Sequence, residues 1–349
     1  MTGTFTYPGD RKRLPMPNLL HASSEMSNAR DVLETRQIGI YFGAVLFAAL
    51  IAFVVPGTTA LEKAINPALA FMLFITFLQV PVAELGAAFL QMRFLGALLV
   101  TNFIAVPALV FALIQFLPVD PMIRLGVLLV LLTPCIDYVV TFTHIGRGDA
   151  KLLLSATPAL LIVQMLALPV YLGAFLGDEA SGLVQSGPFI HAFIWLIAIP
   201  LIAAALVRMA ERKLPAMGKV SVCLGFLPVP ATAVVLFIVV AAVVPQLGMA
   251  LDGALLVLPI YIAFAVLAPV IGWVIARLVG VEVGGIRAVA FSAGTRNSLV
   301  VLPLAFAVPN AMPLLPAIIV TQTLVELVSE MIYVRVIANL GPESRDASA

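Results

Sequence analysis

Charge is what this sequence has least of: 11% of its 349 residues are Asp, Glu, Lys or Arg and 62% are apolar, where a soluble domain has about 25% charged and roughly 45–50% apolar residues. A water-facing surface cannot be made from that composition. The net charge is +1, and no basic stripe interleaved with aromatics is present, so nucleic acid is not an expected partner. Cysteine is nearly absent too. Cys135 and Cys223, far apart and each inside an apolar run, exclude a disulfide framework and a multi-cysteine metal site. No GxxxxGK[ST] loop, His-Glu-x-x-His helix or Gly-x-Ser-x-Gly elbow occurs, which argues against ATP-driven pumping and against an intramembrane enzyme; no cofactor or metal is expected. The first 37 residues hold no apolar run; with Pro8, Pro15 and Pro17 they read as a disordered cytoplasmic tail, and not as a signal peptide.

Bilayer-length apolar runs are what the sequence has in abundance. Crossing the hydrocarbon core takes about 17–25 apolar residues. Runs of that kind lie near 38–56, 64–83, 93–117, 122–146, 152–176, 188–208, 219–244, 253–278, 286–308 and 312–337. The expected fold is therefore an all-α polytopic membrane protein with ten transmembrane helices. Ten spans place sixteen of the nineteen Lys and Arg on one side and two on the other, so both termini, including the tail 338–349, should face the cytoplasm. For a bacterial chain the membrane is the inner one.

The loop at 177–187 separates a first half, 38–176, from a second, 188–337. Five spans each make the halves opposite in orientation, and inverted repeats place a site near the midplane on helices interrupted at matching positions. Span four carries Thr133-Pro134-Cys135-Ile136-Asp137, where proline removes a backbone donor. Span nine carries Ser292-Ala293-Gly294-Thr295-Arg296-Asn297-Ser298 at the matching place. Asp137 and Arg296 are an acid and a base at equivalent depths, and ionised groups at mid-membrane mark a pathway. Thr133, Pro134, Cys135, Asp137, Ser292, Thr295, Arg296 and Asn297 are the candidate substrate and transport residues.

The Pro134-Cys135 break, its Gly146-Arg147-Gly148-Asp149 exit and the small-polar break ending in Asn297 resemble the bile acid:sodium symporter superfamily; Thr133-Pro134-Cys135 is similar to its arsenite efflux permeases. The resemblance implies two inverted five-helix repeats and a panel domain of spans one, two, six and seven. The other spans form a core domain in which discontinuous helices four and nine cross. Substrate would bind at that crossover facing the panel, with alternating access, and Cys135 would be the arsenite-contacting thiol. Sodium-coupled members have a Ser-Asn pair where this chain has Val139 and Val140, and a glutamate and a glutamine where it has Ser292 and Arg296. The efflux permeases have a glutamate where Leu299 stands.

Two uses of Arg296 follow from its chemistry. A tethered guanidinium facing the carbonyl ends of half-helices replaces a bound cation, with Asp137 as counter-charge, or it binds an anionic substrate directly. Cys135 reads as a soft ligand for trivalent arsenic or as a small buried filler, and Cys223 as packing. Glu326 and Glu330 share a helical face; Glu330 is expected to pair with Arg335 near the cytoplasm, and the deeper Glu326 is a candidate proton site. Gln79, Gln164 and Gln322 line a cavity or bridge helices, His144 and His191 are interfacial, and Thr101 and Asn102 have no evident role. The expected function is secondary transport of a small inorganic or organic anion or oxyanion across the lipid bilayer, of the arsenite-efflux type. The alternatives are an organic-anion carrier and a sensor that keeps a carrier fold.

Overall fold

In lipid an apolar segment can satisfy its backbone on its own only as a helix. A computed structural model of the chain describes residues 18–79, 91–136, 138–176, 191, 194–211, 223–306, 308–309 and 311–340. Among them every regular element is helical, apart from one isolated β-bridge. The first half holds α1 (Asn18–Val54), α2 (Glu62–Gln79), α3 (Met92–Ile114), α4 (Pro121–Leu131), α5 (Val139–Ile145) and α6 (Ala150–Leu176). The second holds α7 (Ile199–Glu211), α8 (Pro228–Val243), α9 (Leu247–Leu278), α10 (Val283–Gly294), α11 (Ser298–Phe306) and α12 (Leu314–Val336). Six helical segments among the described residues are long and apolar enough to cross a membrane: Arg36–Val54, Thr58–Gln79, Met92–Ile114, Ala150–Leu176, Ala250–Leu278 and Leu314–Asn339.

These helices expose large apolar side chains on their outer faces, among them Leu46, Phe53, Leu166, Val170, Val266 and Leu278. Water would penalise such faces and hydrocarbon does not, so the chain is an integral, multi-pass membrane protein. Inside, α1, α2, α7 and α8 pack chiefly on one another, α8 lying against both α1 and α2. A second group is built around α9, which packs on α10, α12 and α3, while α4 packs on α12 and α6. The groups meet where α11 touches α2 and α12 touches α8.

One feature departs from the expected layout. The first helix begins at Asn18, so twenty residues of the expected disordered tail, 18–37, are helical; Leu, Ala, Glu, Met and Arg are common there and none of them opposes a helix. Gln37 from this stretch is 2% exposed and belongs to the interior. Spans four and nine are each divided into two short helices, α4 with α5 and α10 with α11. The expected tail at 1–17, Asp137, the loop 177–187 and the tail 341–349 lie outside the described residues.

Candidate functional site: a crossover of two broken helices

The first break follows from Pro134. Its ring clashes with the carbonyl four residues back, that of Val130, and it has no N–H to donate. Helix α4 stops at Leu131, and Thr133 closes the end with its hydroxyl, which lies 2.9 Å from both the Leu129 and Val130 carbonyls. No proline makes the second break. Helix α10 ends at Gly294, and Thr295 turns extended, with φ −101° and ψ 124°. A Cβ on Gly294 would stand 2.8 Å from both Pro269 Cγ and Tyr333 Cε2, so only glycine lets three segments close here. Gly272 does the same for α9 on α10, since a Cβ there would lie 2.8 Å from that of Ala293.

The two breaks meet. Pro134 and Arg296 form an antiparallel bridge in which the Cys135 N–H donates to the Thr295 carbonyl at 3.1 Å and the Asn297 N–H to the Thr133 carbonyl at 2.9 Å. Each break thus supplies part of the backbone pairing that the other lost, which is the condition for irregular backbone at membrane depth. Thr133, Cys135, Ser292, Thr295, Arg296 and Ser298 are fully buried there and Asn297 is 1% exposed.

Arg296 is the largest fully buried side chain of the described residues. Its Nη2 lies 2.6 Å from the Ser292 carbonyl, 2.7 Å from that of Ala293 and 2.8 Å from Asn102 Oδ1. Its Nη1 is 3.5 Å from the Leu131 carbonyl. Leu131 ends α4, and Ser292 and Ala293 belong to the last turn of α10, so the guanidinium sits against the negative ends of two half-helices. Phe264 of α9 presents its ring to the same cation, 5.5 Å from the guanidinium carbon. Asn102 is held in turn, donating to Ser292 Oγ at 3.0 Å and to the Leu98 carbonyl at 3.1 Å. It sits in a π-helical turn of α3, Thr101–Ala105, a wider winding that recurs at functional positions.

Helix α12 brings two buried acids to the crossover. Glu326 accepts from the Arg296 backbone N–H at 2.6 Å, from Gln322 Nε2 at 2.6 Å and from the Tyr138 hydroxyl. Glu330 accepts from the Thr295 hydroxyl. This corrects the expected pairing of Glu330 with Arg335: the arginine is exposed, and Glu330 faces inward with no exposure at all. Spacing placed both acids on one helical face, but a face does not specify which neighbour covers it.

Beside the crossover lies a cavity of about 190 Å³, between α1, α2 and α8 on one side and the first break and α5 on the other. Tyr41, Gln37, Thr76, Gln79, Tyr138, Thr141 and Thr232 contribute its polar wall. The amide nitrogens of Gln37 and Gln79 are buried without a partner among the described residues. None of the described lining residues is charged. Cys135 does not line the cavity, whereas its neighbour Ile136 does.

Asn102 and Gln37 are the residues whose roles sequence reasoning missed. An amide alone in an apolar run was the available signal for Asn102, but its partner stands 194 positions away. Cys223, read as packing, is exposed. His144 and His191 are exposed, Gln164 is buried, and Gln322 supports Glu326.

Among curated proteins nothing matches the chain. Residues 66–252, more than half of its length and including the Thr133–Tyr138 break, most of α2 and all of α8, match the profile of the Sodium Bile acid symporter family. With apolar helices that require a bilayer and two broken helices paired in its interior, the chain belongs to that family of membrane transporters.

Proposed function

We propose that this transporter is a secondary carrier of the arsenite-efflux type, which takes a small, uncharged, oxygen-bearing solute at the cavity beside the crossover. The observation that supports this reading most is the cavity wall: two buried amide donors without partners, Gln37 Nε2 and Gln79 Nε2, and no described charge. Buried donors without acceptors are costly, and a solute oxygen would satisfy them. A volume near 190 Å³ falls below the roughly 300–1,000 Å³ of sites for drug-sized ligands and suits a molecule the size of arsenous acid, which is uncharged at neutral pH. In this reading Cys135, one residue behind the wall at Ile136, meets trivalent arsenic transiently as the crossover moves.

The carrier crosses the membrane ten times, as two inverted five-helix repeats with both termini cytoplasmic. Helices α1, α2, α7 and α8 form the panel and the remaining helices the core; alternating access is the movement of one against the other. Arg296 is the resident cation. Its guanidinium occupies the carbonyl-lined end of the half-helices, and Val139 and Val140 supply no oxygen ligand nearby. Direct anion binding by Arg296 is the second reading, because its Nη groups already donate to Asn102 and backbone carbonyls and only Nε is without a partner among the described residues.

Arsenite accumulation in an efflux-deficient bacterium tests the substrate. Expression of the wild type should lower accumulation, while Cys135→Ser and the double variant Gln37→Leu with Gln79→Leu should restore it. Unchanged accumulation with wild type present in the membrane, together with taurocholate flux in proteoliposomes, would replace this reading by an organic-anion carrier. Exchange of sodium for choline should leave flux unaltered, and a sodium requirement would remove Arg296 from the cation's role.

A further inference from the structure

Glu326 stands where the crossover and the cavity meet. Its Oε1 accepts from the Tyr138 hydroxyl, and that hydroxyl also lies 3.2 Å from the Arg296 carbonyl, a second acceptor. The Tyr138 ring forms part of the cavity wall and packs edge-on against Tyr41 of α1, with centroids 6.4 Å apart. One residue therefore touches the acid, the backbone of the second break, the cavity and a helix of the opposing group.

Charge counting points the same way. The described groups that act on Glu326 are Tyr138 from the first break, Arg296 from the second, and Gln322, Glu330 and Tyr333 on its own helix. Two carboxyl groups thus share one buried cation, Arg296, and no ion pair joins its guanidinium to a described carboxylate. A surplus negative charge so far from water costs several kcal/mol, and a bound proton on either acid removes it; Glu330 Oε2 is buried without a partner among the described residues, but of the two acids Glu326 is the one bonded to a residue of the cavity wall, Tyr138. Independently of the acids, Gln322 Oε1 is buried beside Glu326 with no partner among the described residues. Gln322 Nε2 and the Arg296 N–H both donate to Glu326 Oε2, so a proton falls on Oε1, whose partner, the Tyr138 hydroxyl, can reverse its role.

We propose that Glu326 binds the proton that drives this carrier, with Tyr138 as the positioning residue that passes its presence to the cavity. The inference rests on the carrier reading above. A proton from water on one side forms an O–H bond at Glu326 Oε1. The Tyr138 hydroxyl then turns its hydrogen to the Arg296 carbonyl and accepts from the new carboxylic O–H. Release to the other side breaks the same O–H bond, and the Tyr138 O–H, intact throughout, donates to the carboxylate again. No electrons move, and one proton is carried per cycle. Protonation reverses the hydrogen bond between Tyr138 and the core acid and alters the wall that faces Tyr41, so proton occupancy and the solute site change together.

Infrared difference spectra of the full chain in proteoliposomes, taken across a pH step, read the protonated carboxyl directly and need no substrate. The wild type should show a carboxylic C=O band that titrates; Glu326→Gln should remove it and Glu330→Gln retain it. Tyr138→Phe, which keeps the ring, should shift the band through loss of its hydrogen-bond partner. A band that survives Glu326→Gln, or is indifferent to Tyr138→Phe, overturns the proposal. A second arm follows arsenite flux under an imposed pH gradient: flux that stops when a protonophore collapses the gradient supports proton coupling, and flux that continues refutes it. If the wild type moves neither arsenite nor taurocholate under any gradient, the carrier reading fails, and the infrared band alone decides whether Glu326 binds a proton.

Discussion

The two breaks at the centre of this protein do the same thing by different chemistry. The first spans Leu132 to Tyr138, is opened by Pro134 and is closed by the Thr133 hydroxyl. The second spans only Thr295 to Asn297 and has no proline; a glycine allows it, and a guanidinium occupies the carbonyls left at the end of α10. A helix can thus be broken by withholding a donor or by offering its carbonyls better donors than the next turn would. The first route opens with nothing from elsewhere in the chain, and the second break only pairs the Cys135 N–H and Thr133 carbonyl it leaves. The second holds only if a cation, an amide from α3 and an acid from α12 arrive together.

That dependence predicts which break is the more fragile. Arg296→Ala leaves the Ser292 and Ala293 carbonyls and Asn102 Oδ1 without their donor and strands the buried Glu326. A cost of about 3–5 kcal/mol is expected, the range for removing one partner of a buried charged network; thermal unfolding in detergent measures it, and a loss below about 1 kcal/mol would equate the two breaks. Pro134→Ala tests the other. Proline costs a helix interior about 3 kcal/mol relative to alanine, so the variant should let α4 run on and withdraw the Cys135 and Asn297 backbone bonds. Transport should fall far more than stability, as flux compared with the melting temperature will show. Thr295→Val keeps the shape and removes the donor to Glu330, for a loss of about 1–3 kcal/mol; an equal loss in a Glu330→Gln background would break the assigned pairing, as a double-mutant cycle detects.

The two breaks also differ in how far they could be read from sequence. Pro134 announces its break, because the missing N–H is a property of one residue. Arg296 in an apolar run announces that something must receive it, yet Asn102 and the Phe264 ring could not be chosen from among many polar or aromatic residues in other spans. Glu330 was assigned to Arg335 from its place near the cytoplasmic end, but burial turns it to Thr295. Gln37 was set aside with the polar tail, although the extension of α1 back to Asn18 places it in the cavity wall. Each of these depends on a contact between distant segments, and such contacts leave no periodic trace.

Composition and run length alone determined that this chain lies in lipid as helices, since hydrocarbon accepts no unsatisfied backbone and few charges. The proline and the lone arginine determined where two of those helices would give way. Which groups then met, with Asn102 on Arg296, Tyr138 on Glu326 and two glutamines in the wall of one cavity, was decided only by the tertiary structure. Hydrogen bonds join groups by distance in space, and a one-dimensional sequence holds that distance only within a few residues of the same helix.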